Sequence, residues 1–265
     1  MQAALLQWYI DAGVDEAIQE EPRNYFVAAS AAMQAAPALS AAVPVPAAHP
    51  KPVLPPSLAG AVAEARKLAD AAETLADLEK AVREFEGCSI KRTAKNTVFS
   101  DGNPAAKLML IGEAPGAQED IQGIPFCGPS GWLLDKMLAS IGIDRTSAYI
   151  TNTLFWRPPG NRQPNTEELA ICQPFVERHI ALIDPALLVL VGGTAAKAVL
   201  GTEQGITRLR GKNYAYRTPY RDKEYPVSIV YHPSYLLRQP AQKRATWQDL
   251  LAIKASLQSL ESSSN

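Results

Sequence analysis

Cysteine is scarce in this chain of 265 residues, which has three, at Cys88, Cys127 and Cys172. Three cysteines cannot form a disulfide framework, so a reduced, cytoplasmic protein is expected. No apolar run approaches the ~18 residues that a membrane span requires. The first residues lack a basic region and include Asp11, which argues against a signal peptide. Neither a Walker loop nor GxGxxG nor GxSxG is present, so the common nucleotide-binding and hydrolase signatures are missing.

The chain has no large excess of charge of one sign, since its net charge is -1. Its basic and acidic side chains are nevertheless unevenly distributed. Residues 1–87 hold 6 basic and 12 acidic side chains, whereas residues 88–254 hold 20 basic and 14 acidic ones. This asymmetry predicts that a polyanionic partner would bind the second part, although ordinary surface charge is an alternative explanation.

Composition divides the chain into four segments. Residues 1–26 predict a short helical segment, and residues 27–56 an extended linker rich in alanine and proline. Residues 57–258 predict one folded domain, whose first part, 57–86, is a helical lead-in. Residues 259–265 are expected to form a disordered tail.

Apolar strands alternate with amphipathic helices in the main segment. Four strands are predicted, at residues 108–111, 148–151, 187–191 and 227–231, with helices at 132–141, 167–183 and 194–200 between them. Continuous apolar strands separated by helices indicate a mostly parallel sheet that is covered on both faces. The predicted fold is therefore three-layer α/β/α with a central four-stranded sheet.

Glycine or polar residues follow all four predicted strands. They are Gly112 and Glu113, then Asn152, then the Gly192–Gly193 pair, then His232. Because ligands of such sheets bind outside the carboxyl ends of the strands, we expect these residues to meet in one site.

Five motifs resemble the uracil-DNA glycosylase superfamily, in particular its family 4. They are GEAPGAQED at 112–120, IPFCG at 124–128, YITN at 149–152, RPPGNRQP at 157–164 and YHPSYLLR at 231–238. The resemblance covers roughly residues 85–255. It implies an enzyme that flips uracil out of single- or double-stranded DNA and hydrolyses its N-glycosidic bond, leaving an abasic site for base-excision repair.

The resemblance also assigns roles in uracil binding. Phe126 is expected to stack on the base, Asn152 to read its Watson-Crick edge, and His232 to donate to O2. The backbone of Gly112, Glu113 and Ala114 would line the same pocket. Each of the three side chains also has an ordinary structural explanation: a core aromatic, a capping asparagine and a half-buried histidine.

Ala114 replaces the aspartate that positions water in family 1. Catalysis is then expected to depend on stabilising the departing uracil anion, with Glu113, Glu119 or Asp120 orienting water. Glu119 is alternatively expected to exclude the methyl group of thymine, because Gly116 stands where family 1 has a tyrosine.

Apolar and basic residues after His232 predict contacts with DNA. Leu236 or Leu237 is expected to act as the wedge that enters the base stack. Candidate phosphate contacts are Arg157, Arg162, Arg210, Arg238, Lys243 and Arg244.

Two positions break the family pattern of four cysteines that hold an iron-sulfur cluster. Cys88 and Cys172 match ligands, but Lys91 and Trp156 replace the other two. Cys127 is poorly placed to substitute, and two thiolates do not form an ordinary cluster site, so we predict no cluster and no other cofactor. Trp156 is expected to fill the volume that the cluster would occupy.

Two other functions are compatible with the sequence. A catalytically weak lesion-binding module is an alternative to a glycosylase, and a hydrolase that uses Ser130 or Ser234 with His232 is a weaker one.

The spacing of Gln2, Leu5, Trp8 and Tyr9 resembles short peptides that dock on replication clamps, so residues 1–26 are a candidate segment for binding a protein partner. A monomer is expected.

Overall fold

A computed structural model describes residues 56–262, so the predicted helix at 1–26 and nearly all of the linker lie outside the described residues. The strands are Asp101–Gly102 (β1), Leu108–Gly112 (β2), Ala148–Asn152 (β3), Leu187–Val191 (β4), Tyr214–Arg217 (β5) and Glu224–Val230 (β6). The helices of this part are Pro56–Ala71 (α1), Leu75–Glu84 (α2), Ala117–Gln122 (α3), Pro129–Ala139 (α4), Thr166–Ile183 (α5), Gly193–Leu200 (α6), Ile206–Leu209 (α7), Pro233–Arg238 (α8) and Lys243–Ser262 (α9). Short 3-10 turns lie at Ser89–Thr93, Pro159–Asn161 and Pro240–Gln242.

The strands form one sheet with the order β1-β3-β2-β4-β6-β5. The four inner strands are parallel and are the four that the sequence predicts, which confirms the α/β/α fold class. The predicted strand number was too low, because β1 and β5 add short antiparallel edges within the described residues. These edges lack the continuous apolar run on which the prediction depended.

Alternate residues of each inner strand enter two separate cores. On β2, Met109 and Ile111 face the core that α1, α2, α5 and α6 cover. Leu108 and Leu110 face the opposite core, which α4, α8 and α9 cover. Successive strand side chains point to opposite faces, so burial of both faces accounts for the uninterrupted apolar sequence.

Helix ends follow recognisable capping signals. Thr74 and Asp77 form a capping box at the start of α2, and Asn165 and Glu168 form one at the start of α5. At the other end of the domain, α9 continues to Ser262, past the tail boundary predicted at 258. Leu257 and Leu260 still pack against the second core, which keeps the helix ordered beyond that point.

The connections place an opening at the carboxyl edge of the sheet. The chain leaves β2 toward β3 on one side, whereas it leaves β4 toward β6 on the other. Their following helices, α4 and α6, cover opposite faces. This reversal between neighbouring strands creates a crevice in which ligands of such sheets bind. No helix of residues 56–262 is long and apolar enough to cross a membrane.

Candidate active site

A cleft of about 630 Å³ opens at the carboxyl ends of the four parallel strands. Its lining includes Glu113 and Ala114 after β2, Asn152 at the end of β3, the Gly192–Gly193 pair after β4, and His232 after β6. The structure thus brings together residues from all four strand ends that the sequence singled out. Phe126 enters the same cleft from the loop between α3 and α4.

Gly112 allows Phe126 and Asn152 to approach each other closely. A Cβ atom at Gly112 would lie 2.3 Å from Asn152 Oδ1 and 2.5 Å from Phe126 Cζ, both far inside contact distance. Any side chain at this position would therefore displace the ring or the amide. Gly112, the last residue of β2, is therefore required by space at the site and not by the strand backbone, which is extended.

Phe126 has a left-handed backbone, with φ at +52°. For a residue other than glycine this conformation costs roughly 1–3 kcal/mol and persists only where its surroundings enforce it. The ring is buried and lies 5.7 Å from the His232 ring, centroid to centroid. Backbone strain is therefore associated with the placement of one aromatic side chain at the cleft.

Asn152 carries a buried acceptor without a donor. Its side chain is 2% exposed, and Oδ1 has no hydrogen-bond partner among the described residues. An unsatisfied buried acceptor costs about 1–3 kcal/mol. Since Asn152 also lines the cleft, a ligand that presents an N–H group here would remove that cost.

His232 is held in one orientation at the N-terminus of α8. Its Nδ1 accepts a hydrogen bond from the Ser234 backbone N–H at 3.2 Å and lies 2.8 Å from Ser234 Oγ. A neutral ring whose Nδ1 accepts carries its proton on Nε2, which is then a donor. Burial and the nearby Arg238 charge lower the pKa of His232 to about 4, so the ring is neutral near pH 7.

The Ser234 contact does not resemble an activated nucleophile. Nδ1 already accepts the backbone N–H of Ser234, and no described residue accepts a hydrogen bond from Nε2 of His232. A serine hydrolase needs its histidine oriented by a third group, which is missing from residues 56–262. Ser130 lines the cleft but makes no hydrogen bond with the imidazole.

Glu119 is engaged in holding the loops of the cleft together. Its Oε2 accepts from the Gly116 N–H at 3.1 Å, and its Oε1 accepts from the Gly128 N–H at 3.0 Å. A Cβ atom at Gly116 would lie 2.7 Å from Oε2, so the carboxylate occupies the space beside that glycine. Both oxygens of Glu119 are therefore bound to the two loops that flank α3.

The other two candidate carboxylates differ in availability. Asp120 is buried, and its Oδ1 accepts from the backbone N–H groups of Lys95 and Asn96. Glu113 lines the cleft, and its carboxylate makes no hydrogen bond or ion pair with the described residues. Of the three carboxylates, Glu113 alone is free to interact with a ligand or with water.

Helix α8 buries one of the two candidate wedge residues and exposes the other. Leu236 is 1% exposed and belongs to the second core, so it does not fit the predicted role in DNA binding. Leu237 is 46% exposed, and Arg238, also exposed, lies at the rim of the cleft. Neighbouring helix positions point about 100° apart, which is why one leucine is buried and the next is not.

The candidate phosphate-binding arginines are not equally available. Arg210 donates to Asp249 at 2.8 Å and to the Ala245 carbonyl at 2.5 Å, so its guanidinium is used within the fold. Arg157 donates to Asn161 Oδ1 at 2.7 Å, and Arg162 pairs with Glu168 at the rim of the cleft.

Several residues at the cleft escaped the sequence reasoning. Gln163, Thr194 and Thr207 line it. Gln163 lies within the motif at 157–164, and Thr194 follows two glycines at a strand end, so both carried a signal that Thr207 lacks. Arg145 contacts the backbone of Phe126 from a loop outside every motif.

The residues at the four family cluster positions do not form a metal site. Cys88 and Cys172 are fully buried free thiols, and the interaction with the Cys88 thiol together with burial raises the pKa of Cys172. Trp156 is 1% exposed and donates to Thr97 Oγ1 at 3.0 Å, while Lys91 pairs with Glu86 at 2.5 Å. No group of three or more potential ligands that could hold a metal ion occurs in residues 56–262. The donor set that is present therefore does not fit a four-iron cluster.

Comparisons with known proteins agree with the fold. The family model described as the uracil DNA glycosylase superfamily matches residues 99–251. The chain is 37% identical to the Type-4 uracil-DNA glycosylase of Archaeoglobus fulgidus over 172 residues, which cover 63% of this chain and 85% of that protein. It is 34% identical to the Type-4 uracil-DNA glycosylase of Sulfurisphaera tokodaii over 187 residues, or 69% and 84% of the two chains. The Type-4 uracil-DNA glycosylase of Thermotoga maritima is 33% identical over 186 residues, or 69% and 94%. The family model spans more than half of this chain, and these relatives align over most of their own lengths. The chain therefore belongs to the uracil DNA glycosylase superfamily.

Proposed function

We propose that the chain is a uracil-DNA glycosylase that hydrolyses the bond between uracil and deoxyribose in DNA. The single observation that carries this proposal is the unpartnered Oδ1 of Asn152, a buried acceptor beside the Phe126 ring and within the cleft. Uracil presents an N3–H donor next to its O4 acceptor, which the two ends of one side-chain amide complement. Cytosine lacks the N3 proton, so it would leave the Asn152 acceptor unsatisfied.

Reading a base edge in this cleft requires the nucleotide to leave the duplex. Asn152 is almost fully buried, and an enzyme that acts on a base buried in a duplex extrudes it into such a pocket. We propose that Leu237 fills the space that the base vacates, because it is the exposed leucine of α8. We also propose that Arg238, beside it, contacts a neighbouring phosphate.

Leaving-group stabilisation accounts for the chemistry. As the glycosidic bond breaks, its electron pair moves onto the uracil ring, and negative charge develops at O2. The neutral His232, protonated at Nε2, donates a hydrogen bond to that oxygen without first losing water or a proton. A preorganised donor of this kind in a buried site contributes about 2.7–4 kcal/mol of transition-state stabilisation.

Water then adds to the oxocarbenium-like sugar. Ala114 offers no carboxylate at the position of the family 1 aspartate, whereas Glu113, the adjacent residue, has a free carboxylate at the cleft. We propose that Glu113 orients the water or stabilises the sugar cation. Glu119, whose oxygens are bound by two loops, is better suited to shaping the pocket and excluding a 5-methyl group.

We also propose that this enzyme works without an iron-sulfur cluster. Trp156 and its hydrogen bond to Thr97 support the idea, because a buried indole occupies one ligand position. The chemistry proposed above requires neither a metal ion nor an organic cofactor. DNA is the substrate. We propose a monomer, because one chain supplies Glu113, Phe126, Asn152 and His232 to one cleft.

Uracil release by iron-free protein tests the proposal. The protein is incubated in excess with oligonucleotides that carry one uracil, thymine or cytosine, followed by alkaline cleavage of the product. We expect alkali-labile strands from the uracil substrate alone. Tight binding of uracil DNA without cleavage would instead indicate a lesion-binding module, an alternative that Ala114 keeps open.

A further inference from the structure

We propose that Arg145 is a positioning residue that holds the Phe126 ring against the base, an inference that rests on the proposed uracil-binding site. Arg145 lies in the loop between α4 and β3, outside all five sequence motifs, and it does not line the cleft. Its guanidinium donates to the carbonyls of two consecutive residues, Pro125 at 3.2 Å and Phe126.

Two carboxylates hold the guanidinium in place. Arg145 pairs with Asp101 at 2.5 Å and with Asp135 at 2.9 Å. Together with the two carbonyls, these partners engage all three nitrogens of the guanidinium in four hydrogen bonds. Asp101 belongs to the short edge strand β1, and Asp135 to helix α4. A planar guanidinium bonded in this way is a rigid connector, since its five N–H donors have a fixed geometry.

The Phe126 carbonyl is enclosed on its other side by α4. A Cβ atom at Gly131 would lie 1.6 Å from this oxygen, so only glycine allows the approach. Phe126 also has the strained left-handed backbone, which relaxes unless its surroundings hold it. Arg145 and Gly131 together fix the carbonyl, and the carbonyl fixes the direction in which the ring leaves the chain.

Removing the Arg145 side chain should weaken uracil binding specifically. Without the guanidinium, the strained residue relaxes and the ring shifts from the stacking position, while α8 and the phosphate-facing rim stay in place. Binding of free uracil should therefore weaken, whereas binding of DNA that already contains an abasic site should not. A residue that only stabilised the fold would weaken both to the same extent.

Arg145→Met tests this inference, with Arg221→Met as the matched control. Arg221 also bonds a backbone carbonyl, that of Ala181, and a carboxylate, that of Asp184, but it does not line the cleft. We expect Arg145→Met to raise the inhibition constant of uracil roughly tenfold, in the range of a lost stacking contact. Its dissociation constant for abasic DNA should change less than twofold, and Arg221→Met should change neither. Equal weakening of both ligands, or unchanged uracil inhibition, would overturn the proposal.

Three further measurements keep the test decisive. In a Phe126→Leu background, Arg145→Met should add little to the loss, because both substitutions remove the same contact; fully additive losses contradict the inference. If Arg145→Met does not fold, Asp135→Asn loosens the guanidinium more mildly and should give a smaller change with the same pattern. Fluorophenylalanine NMR provides a readout without activity: the Phe126 resonance should move in the Arg145 variant but not in the Arg221 variant. A moved resonance in a protein that neither cleaves uracil DNA nor binds uracil would place the failure in the proposed function.

Discussion

The Phe126 ring lies 5.7 Å from the His232 ring, with an angle of 31° between their planes. The two side chains come from different parts of the sequence, one from the loop before α4 and the other from the end of β6. A base stacked on Phe126 therefore has the imidazole within reach of its edge. In the proposed mechanism, one bound position of the base therefore satisfies both its recognition and the stabilisation of the leaving group.

The pH dependence of catalysis should reflect a histidine that is neutral throughout the physiological range. The pKa of His232 falls from its usual 6.5 to about 4, so the donor at Nε2 and the acceptor at Nδ1 keep their roles until the pH approaches 4. We expect the single-turnover rate of uracil release to be flat from about pH 8 to about pH 5. A fall in rate with a midpoint near pH 6.5, and not near 4, would contradict this assignment.

As the pH falls, protein stability should begin to decrease at a higher pH than the rate of uracil release does. Burial lowers the pKa of His179 to about 3 and that of His232 to about 4. Both groups bind protons more readily in the unfolded chain, so the stability that they contribute is complete above pH 6.5 and decreases as the pH falls below it. Urea denaturation at pH 7.5 and 5.5 should show the lower free energy of unfolding at pH 5.5. Equal values at the two pH settings would argue against two buried neutral histidines.

Gly112→Ala should inactivate the enzyme while leaving it folded. The new methyl group collides with Asn152 Oδ1 and the Phe126 ring, and relief requires one of them to move. We expect uracil release to fall by about two orders of magnitude, in line with the loss of one or two oriented groups. Overpacking should cost roughly 1–3 kcal/mol of stability.

Gly60→Ala is the matched control for this substitution. Gly60 lies in α1, and a Cβ atom there would contact nothing within 4 Å. Activity should be unchanged, and stability should increase by roughly 0.5–1 kcal/mol, because alanine is the better helix former. Full activity in Gly112→Ala would mean that the Phe126 and Asn152 positions are not required.

The two leucines of α8 should give opposite results. Leu237→Ala removes an exposed side chain, so the melting temperature should stay the same while uracil release from double-stranded DNA falls more than release from single-stranded DNA. Leu236→Ala removes a core side chain and should cost about 2–5 kcal/mol of stability. Thermal unfolding together with assays on the two DNA forms measures both effects. A strand-independent loss in Leu237→Ala would exclude the wedge role.

Protein purified under aerobic and anaerobic conditions should contain no stoichiometric iron or sulfide and no visible chromophore. A buried indole and a paired lysine occupy two of the four ligand positions, which leaves the thiols of Cys88 and Cys172. Iron analysis and absorption spectra measure this directly. Lys91→Cys combined with Trp156→Cys restores the four-cysteine pattern and serves as the comparison in cluster reconstitution. Stoichiometric iron and sulfide in the natural sequence would refute the prediction.

The parallel strands were the most predictable part of the molecule, because a strand buried on both faces is apolar throughout. The predicted run at 187–191 coincides with β4, and the prediction at 108–111 ends one residue before β2 does. The edge strand β1 was not predicted, since two residues carry no periodicity. Its place in the fold depends on the pairing of Asp101 with Ile150, a contact distant in sequence.

The site was less predictable than the strands. The glycine and polar residues at strand ends indicated where the cleft would lie, and the motifs indicated its residues. The sequence could not distinguish Leu236 from Leu237, because that choice depends on how α8 is rotated against the core. It also gave no sign of Arg145, whose role depends on the left-handed backbone of Phe126.

The most direct test of the account is uracil release from a single-stranded oligonucleotide by the natural sequence, by Asn152→Ala and by His232→Ala. Circular dichroism and thermal unfolding establish that all three proteins are folded. We expect turnover by the natural sequence and a loss of about two orders of magnitude or more in each variant, because edge reading and the O2 donor are each removed. Turnover within threefold of the natural sequence in both folded variants would contradict it.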